Sequence, residues 1–236
     1  MPRARISNAK FELGNKGLEI KNAELIKRKR LQIALGASNL LVKKGYKHAT
    51  MRDICKATGL SIGNIYDYIK TKDDVLCLIF DVFHSMWSRQ LEEEGVFDIK
   101  DPEEQLRVAI RKKLELINRL RPMIVLMYTE SKFLPRDFLK MVLKKESSLI
   151  GSFERILRNG IEKKVFKIKD PFFAANVIVY LIAIEPLRGW NLKRKYNISE
   201  INRQLEKYIF TLVLTPELPK EKAMESRKRK VPLRRK

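Results

Sequence analysis

The chain has 236 residues, 44% of them hydrophobic, enough to bury one or two cores and too many for an intrinsically disordered protein. Its 50 Lys and Arg against 28 Asp and Glu leave a formal charge of +22, well beyond what solubility needs, which points to a polyanionic partner. Two cysteines give no disulfide framework and two histidines build no metal site unaided. The start, Met-Pro-Arg-Ala-Arg, lacks a signal peptide's apolar core, and residues 177–184 are too few to span a bilayer, so the expectation is a cytoplasmic protein with no cofactor, metal or membrane.

Residues 1–23 hold Gly14, Asn15 and Gly17 among scattered charges and read as a disordered basic leader. Residues 1–50 as a whole carry twelve Lys and Arg against three Glu, so much of the excess charge sits here. Ile26, Ile33, Ala34, Ala37, Leu40 and Leu41 recur at three- and four-residue steps and predict one apolar stripe on a helix that ends at Gly45. Thr50 then offers an N-cap with Asp53 three residues on, and Met51, Ile54 and Cys55 give a short second helix its buried side before Gly59 ends it. Ser61 caps a third helix over 61–69 whose apolar members are Ile62, Ile65 and Ile69, leaving Gly63, Asn64, Asp67 and Tyr68 outward.

Two short helices joined at a glycine predict a helix-turn-helix domain over 24–71. Thr71 with Asp74 opens a long fourth helix that fades near Gly95, and further helices are predicted at 102–120, 122–133, 136–163, 171–190 and 199–214, mostly entered at prolines. The stretch 164–170 reads as a loop, no strand series occurs, and 216–236, with nine basic residues against three acidic, reads as a disordered basic tail. The fold class expected is all-α: an N-terminal three-helix helix-turn-helix domain and, over 72–215, a C-terminal helical ligand-binding and dimerisation domain. Residues 172–190 are apolar nearly throughout, so that helix needs its own core on one side and a partner subunit on the other. A homodimer through 171–190 and 199–214, a four-helix bundle, is expected.

The string Thr-Met-Arg-Asp-Ile-Cys-Lys-Ala-Thr-Gly-Leu-Ser-Ile-Gly-Asn-Ile-Tyr-Asp-Tyr-Ile-Lys-Thr-Lys-Asp-Asp-Val over 50–75 resembles the DNA-binding signature of TetR/AcrR-family regulators. The likeness extends back through Ala37, Leu40, Gly45 and Tyr46. The rest agrees in helix count and spacing, with a looser similarity to members thought to sense acyl-CoA compounds. The resemblance implies a second helix crossing the DNA backbone, a third entering the major groove, and a homodimer on a near-palindromic operator in double-stranded DNA. By position it puts Thr50, Tyr66 and Lys72 on phosphate, and Ile62, Gly63, Asn64, Asp67 and Tyr68 toward base edges or the groove wall.

Chemistry is consistent with that division. A hydroxyl, a phenol and an ammonium all donate to phosphate oxygens, which sets register without reading sequence. Residues 61–69 contain no Lys or Arg, so the common arginine–guanine contact is absent and Asn64, whose amide pairs bidentately with adenine, is the best base reader. Gly63 permits close backbone approach, Asp67 either accepts from cytosine or shapes the helix surface, and Arg52 reaches phosphate or base from the flank. The plainer readings are that Thr50 and Ser61 only cap helices and that Tyr66 and Tyr68 pack on the first helix.

For an effector, Met86, Trp87, Met123, Met127, Tyr128, Phe133 and Phe138 lie on helices that would surround a cavity, with ordinary core packing as the alternative. Glu185 interrupts an apolar run just before Pro186. It anchors a ligand, pairs with Arg188 or a neighbouring-subunit cation, or is simply exposed. No Gly-x-Ser-x-Gly, His-Glu-x-x-His, P-loop or local Cys–His pair occurs, so no catalytic residue and no enzyme is expected. The function expected is a ligand-responsive DNA-binding regulator, a repressor released by a small, largely apolar effector, with acyl-CoA-type compounds among the candidates. The alternative is a basic protein that binds nucleic acid without sequence preference, or a membrane surface.

Overall fold

The structure, a computed structural model, describes residues 6–214, with side chains from Ala23 onward except that of Ser88. The expected basic tail and the first five residues of the leader lie outside the described residues. Every regular element described is helical: α1 (Ile6–Lys44), α2 (Met51–Thr58), α3 (Ile62–Tyr66), α4 (Lys72–Glu93), α5 (Pro102–Arg119), α6 (Arg121–Thr129), α7 (Arg136–Glu162), α8 (Pro171–Ile182), α9 (Ile184–Leu192) and α10 (Ile198–Leu214). Single 3-10 turns stand at Val96–Asp98 and Ser131–Phe133.

The chain parts into two compact units, Met1–Arg89 with Leu116–Glu146, and Gln90–Glu115 with Ser147–Lys236. This differs from the border expected at residues 71 and 72. Most of α4 and all of α6 join the helix-turn-helix, because α6 packs directly against α1. The first helix also starts earlier than expected, at Ile6 rather than after residue 23. Its Lys, Glu, Ala and Leu favour helix enough to outweigh Gly14 and Gly17, each of which costs about 1 kcal/mol.

In the first unit the stripe on α1 is buried at Ile33, Ala34, Ala37 and Leu41, while Ile26, expected on the same stripe, is 48% exposed. Gly36 sets how closely α2 approaches. A Cβ there would lie 2.8 Å from the Ala57 carbonyl oxygen and 2.9 Å from the Thr58 Cα, so only glycine lets the end of α2 rest on the α1 backbone. Gln32 Nε2 then donates to the Thr58 carbonyl at 2.9 Å, fixing the two helices together. On α4, Val75, Leu76, Ile79, Phe80 and Phe83 are buried. Asp81 of α4 accepts from Arg30 of α1 at 2.8 Å and from Lys145 of α7 at 2.7 Å, a charged tie across three helices.

The second unit buries Leu106, Ala109 and Ile110 of α5, Phe153, Ile156 and Leu157 of α7, Ala175 and Ile178 of α8, and Ile201, Ile209 and Val213 of α10. Glu206 of α10 receives both Arg107, at 2.6 Å, and Arg111, at 2.8 Å. The helix expected over 171–190 is broken, and α8 and α9 meet at 49°. Pro186 has no N–H to give the Ile182 carbonyl and its ring crowds that oxygen, so the helix cannot run through. The helix expected over 122–133 likewise ends at Thr129 and gives way to the second 3-10 turn. Among the described residues no single helix is long and apolar enough to cross a membrane.

Candidate nucleic-acid interface

The predicted caps form as the residue types require. Thr50 is the N-cap of α2: its hydroxyl accepts from the Asp53 N–H at 3.2 Å, while the Asp53 carboxylate accepts from the Thr50 N–H at 2.9 Å and from its hydroxyl at 2.7 Å. Lys44, at the end of α1, reaches the same carboxylate at 2.6 Å. Lys44 foremost, then Thr50, hold the Asp53 carboxyl well below the ordinary aspartate value. The capping reading of Thr50 is therefore satisfied within the chain, and a phosphate contact would have to draw its hydroxyl proton off Asp53.

Gly59, with φ of 68°, turns the chain into α3, which Ser61 caps through the Asn64 N–H at 3.3 Å. The helix is shorter than expected, five residues rather than nine, and Ile65 and Ile69 anchor it in the core. Ile62, predicted among the apolar members, is instead 51% exposed. It shares the outer surface with Gly63, Asn64, Tyr66 (45% exposed) and Asp67, while Tyr68 is half-buried. Nothing lies within 4 Å of where a Gly63 Cβ would stand, so no contact within the protein requires glycine there. Arg52 is exposed on α2. Lys43, Lys47, Lys56 and Lys70, which motif reasoning passed over, are exposed on the neighbouring segments; the charge excess of residues 1–50 pointed to the first two and nothing to the others.

Lys72, expected on phosphate, has partners within the chain. Its Nζ donates to the carbonyls of Tyr46, at 2.9 Å, and Lys47, at 3.2 Å, and sits 4.7 Å over the Tyr46 ring. Those partners account for a lysine at the start of a helix, where the dipole disfavours it. Tyr46 in turn donates its hydroxyl to Asp73 and stacks on Phe133 at 5.1 Å, tying the turn after α1 to the 3-10 turn after α6. Burial, reinforced by the Asp73 carboxylate, pushes the Tyr46 phenol above its ordinary value.

The effector candidates are not gathered by one unit. Trp87 is 2% exposed and stacks on Phe83 at 5.4 Å, Met86 and Met127 are half-buried, and Tyr128 is 46% exposed, all in the first unit. Glu185 lies in the second, buried, and pairs with Lys193 at 2.8 Å rather than with Arg188. Sequence reasoning missed His84, 1% exposed on α4, whose Nδ1 lies 3.9 Å from Glu146 of α7. Burial pushes the imidazole down to about 4 and the Glu146 carboxyl up, so His84 is neutral at pH 7. Among the described residues no group of three or more His, Cys, Asp or Glu side chains is placed to hold a metal ion.

Comparison with known proteins agrees with this architecture. Residues 33–77 match the family described as bacterial regulatory proteins, tetR family, and residues 99–183 match the tetracyclin repressor-like C-terminal domain. The HTH-type transcriptional regulator HbdR of Aromatoleum sp. (strain CIB) is 23% identical over 185 residues, 77% of this chain and 79% of that one. Among solved structures, AibR in complex with isovaleryl coenzyme A and operator DNA superposes with a TM-score of 0.63 at 17% identity, covering 80% of this chain and 99% of that one. FadR from Bacillus subtilis in complex with stearoyl-CoA gives 0.62 at 20% identity, covering 76% and 96%. With one family model on the helix-turn-helix and the other on the helices behind it, the chain belongs to the TetR family of bacterial transcriptional regulators.

Proposed function

We propose that this protein is a homodimeric, ligand-responsive repressor that reads a near-palindromic operator through α3 and leaves it when a small, largely apolar effector binds. The observation that carries this reading is the outer face of α3. Ile62, Gly63, Asn64, Tyr66 and Asp67 are turned to solvent while Ile65 and Ile69 hold the helix in place, an arrangement with no use in the protein's own packing. Asn64 is the proposed base reader. Arg52, Tyr66 and the exposed lysines around the motif supply phosphate contacts, Ile62 and Asp67 shape the groove-facing surface, and Tyr68 supports it from behind. Thr50 and Lys72 are proposed as structural members of the site, in keeping with their partners inside the chain.

The homodimer is supported by the second unit, where Phe172, Phe173, Tyr180, Trp190, Tyr208 and Leu212 are all more than 40% exposed on α8, α9 and α10. So much aromatic surface suits burial against an identical copy. The effector class rests on likeness, since AibR and FadR are held with isovaleryl coenzyme A and stearoyl-CoA. Met86, Trp87, Met127 and Tyr128, all of the first unit, are the proposed apolar contacts. The activity is regulatory and not enzymatic, exercised in the cytoplasm where the chromosome lies.

Selecting binding sites from random or genomic DNA with the purified protein tests the reading. Enrichment of a two-fold symmetric site, released by an acyl-CoA, is the expected result. Binding without enrichment above bulk DNA would instead favour a non-sequence-specific basic protein.

A further inference from the structure

The second unit holds a cleft of about 620 Å³, lined by the 3-10 turn at Val96–Asp98, the start of α5 and the later half of α7. At ~30 Å³ per atom that is room for ~20 atoms, and adenosine has about nineteen besides hydrogen. None of its residues belongs to the α3 face or to the effector contacts proposed above. Net charge does not choose the guest, since Lys100, Arg158 and Lys163 are matched in number by Asp98, Glu154 and Glu162.

What distinguishes the cleft is a planar cation and an oriented amide. The Arg155 guanidinium lies over the Phe97 ring at 4.3 Å and has no carboxylate partner among the described residues. With Phe97 on one side, its other side is left to the cleft, and guanidinium planes are surfaces on which bases stack. Gln105, 4% exposed, donates through Nε2 to the Val96 carbonyl at 3.1 Å, which turns its Oε1 to accept from Asn159 Nδ2 at 3.0 Å. Those two bonds fix which way round the Asn159 amide stands. Its Oδ1 and second Nδ2 hydrogen have no other partner among the described residues, an acceptor and a donor that match the N6 amine and N7 of adenine. Gly151 of α7 lines the same cleft, and nothing lies within 4 Å of where its Cβ would stand.

We propose that this cleft binds an adenosine moiety, with the base on the Arg155 guanidinium and its N6–N7 edge on Asn159. A free nucleotide and the nucleotide end of a coenzyme A thioester share that chemistry. Binding there does not depend on the regulator reading.

The test is titration calorimetry on the full chain without DNA, with adenosine as the probe and inosine as the control. Inosine carries a carbonyl oxygen in place of the amine and so sets an acceptor against Asn159 Oδ1. Adenosine is expected to fill one site per chain and to bind about tenfold or more tightly than inosine, the worth of one hydrogen bond. Gly151→Leu puts a side chain into the open space and a better helix former into α7, so it should hold or raise the melting temperature while weakening adenosine at least about tenfold. Arg155→Ala should weaken both nucleosides alike, and Asn159→Ala should bring adenosine down to inosine. Circular dichroism checks that each variant is folded, and if Asn159→Ala is not, Gly151→Leu and the ratio of the two nucleosides decide. Added coenzyme A separates the sources: displacement of adenosine means that the cleft accepts the coenzyme's nucleotide, and no displacement restricts it to free nucleosides and nucleotides. No saturable binding, equal affinity for inosine, or adenosine binding unchanged by Gly151→Leu would overturn the proposal.

Discussion

The Lys72 ammonium donates to the main-chain carbonyl of Tyr46 at 2.9 Å and lies 4.7 Å above that residue's ring, so a cation at the start of α4 closes the turn that ends α1. Replacing it by methionine keeps the stem and removes the donors. Lys72→Met should cost about 1–3 kcal/mol of stability through the abandoned carbonyls, read as a lower melting temperature. The slope of log affinity against log salt for DNA should stay as it was. A slope shallower by about one charge would mean that Lys72 leaves Tyr46 to grip a phosphate.

On α3 the two central positions should separate fold from recognition. Gly63→Ala meets open space and relieves a glycine inside a helix, so the melting temperature should hold or rise, by up to ~1 kcal/mol in stability. Affinity for the selected DNA site should nevertheless fall, because in the proposed docking the added methyl would stand against the groove wall. Asn64→Ala, also exposed, should leave stability alone and cost about 1–3 kcal/mol of discrimination at one base pair, measured by competition between the selected site and its single-base variants.

Gly36 makes the opposite prediction. A methyl at 2.8 Å from the Ala57 oxygen cannot be accommodated by a side-chain rotation, since the obstacle is backbone. Gly36→Ala should destabilise by about 1–3 kcal/mol and push α2 away from α1, weakening DNA binding in step with the fall in melting temperature. An unchanged melting temperature would show that the two helices are less tightly seated than described.

Asp53 supplies a pH dependence of known sign. Its carboxyl is held below the ordinary aspartate value of 3.8 when folded, so its contribution to stability is present above that value and is lost as the pH falls below it. Melting temperatures taken from pH 6 down to pH 2 should fall less steeply for Asp53→Asn than for the parent, the gap between them narrowing only below the ordinary aspartate value of 3.8. Parallel curves would remove Asp53 from the acid response.

The local signals that survived folding are those whose physics is local. Thr50 with Asp53, Thr71 with Asp74, and Gly45 and Gly59 at positive φ needed only their neighbours in sequence, and each cap formed as its residues require. Pro186 broke a helix expected to be continuous because the apolar run around it hid a purely local signal of the same kind. What was not legible depends on partners far along the chain. Lys72 meets carbonyls 25 and 26 residues away, Asp81 gathers cations from α1 and α7, and Gly36 matters only once α2 lies on it. Ile62 looked like core by its apolar character, yet it stands in the first turn of α3, 51% exposed, while Ile65 one turn on is buried.

The five residues of α3 carry no ionic charge, while exposed lysines stand on the segments around it. With phosphate contacts made by those lysines, as proposed, a rise in salt would weaken the hold on every DNA sequence by nearly the same factor. The ranking of one site over another, under the proposed reading by uncharged groups at base edges, would be left almost untouched. A cell that swells or shrinks would then change how many copies of the regulator sit on its chromosome without changing the order in which sites are filled.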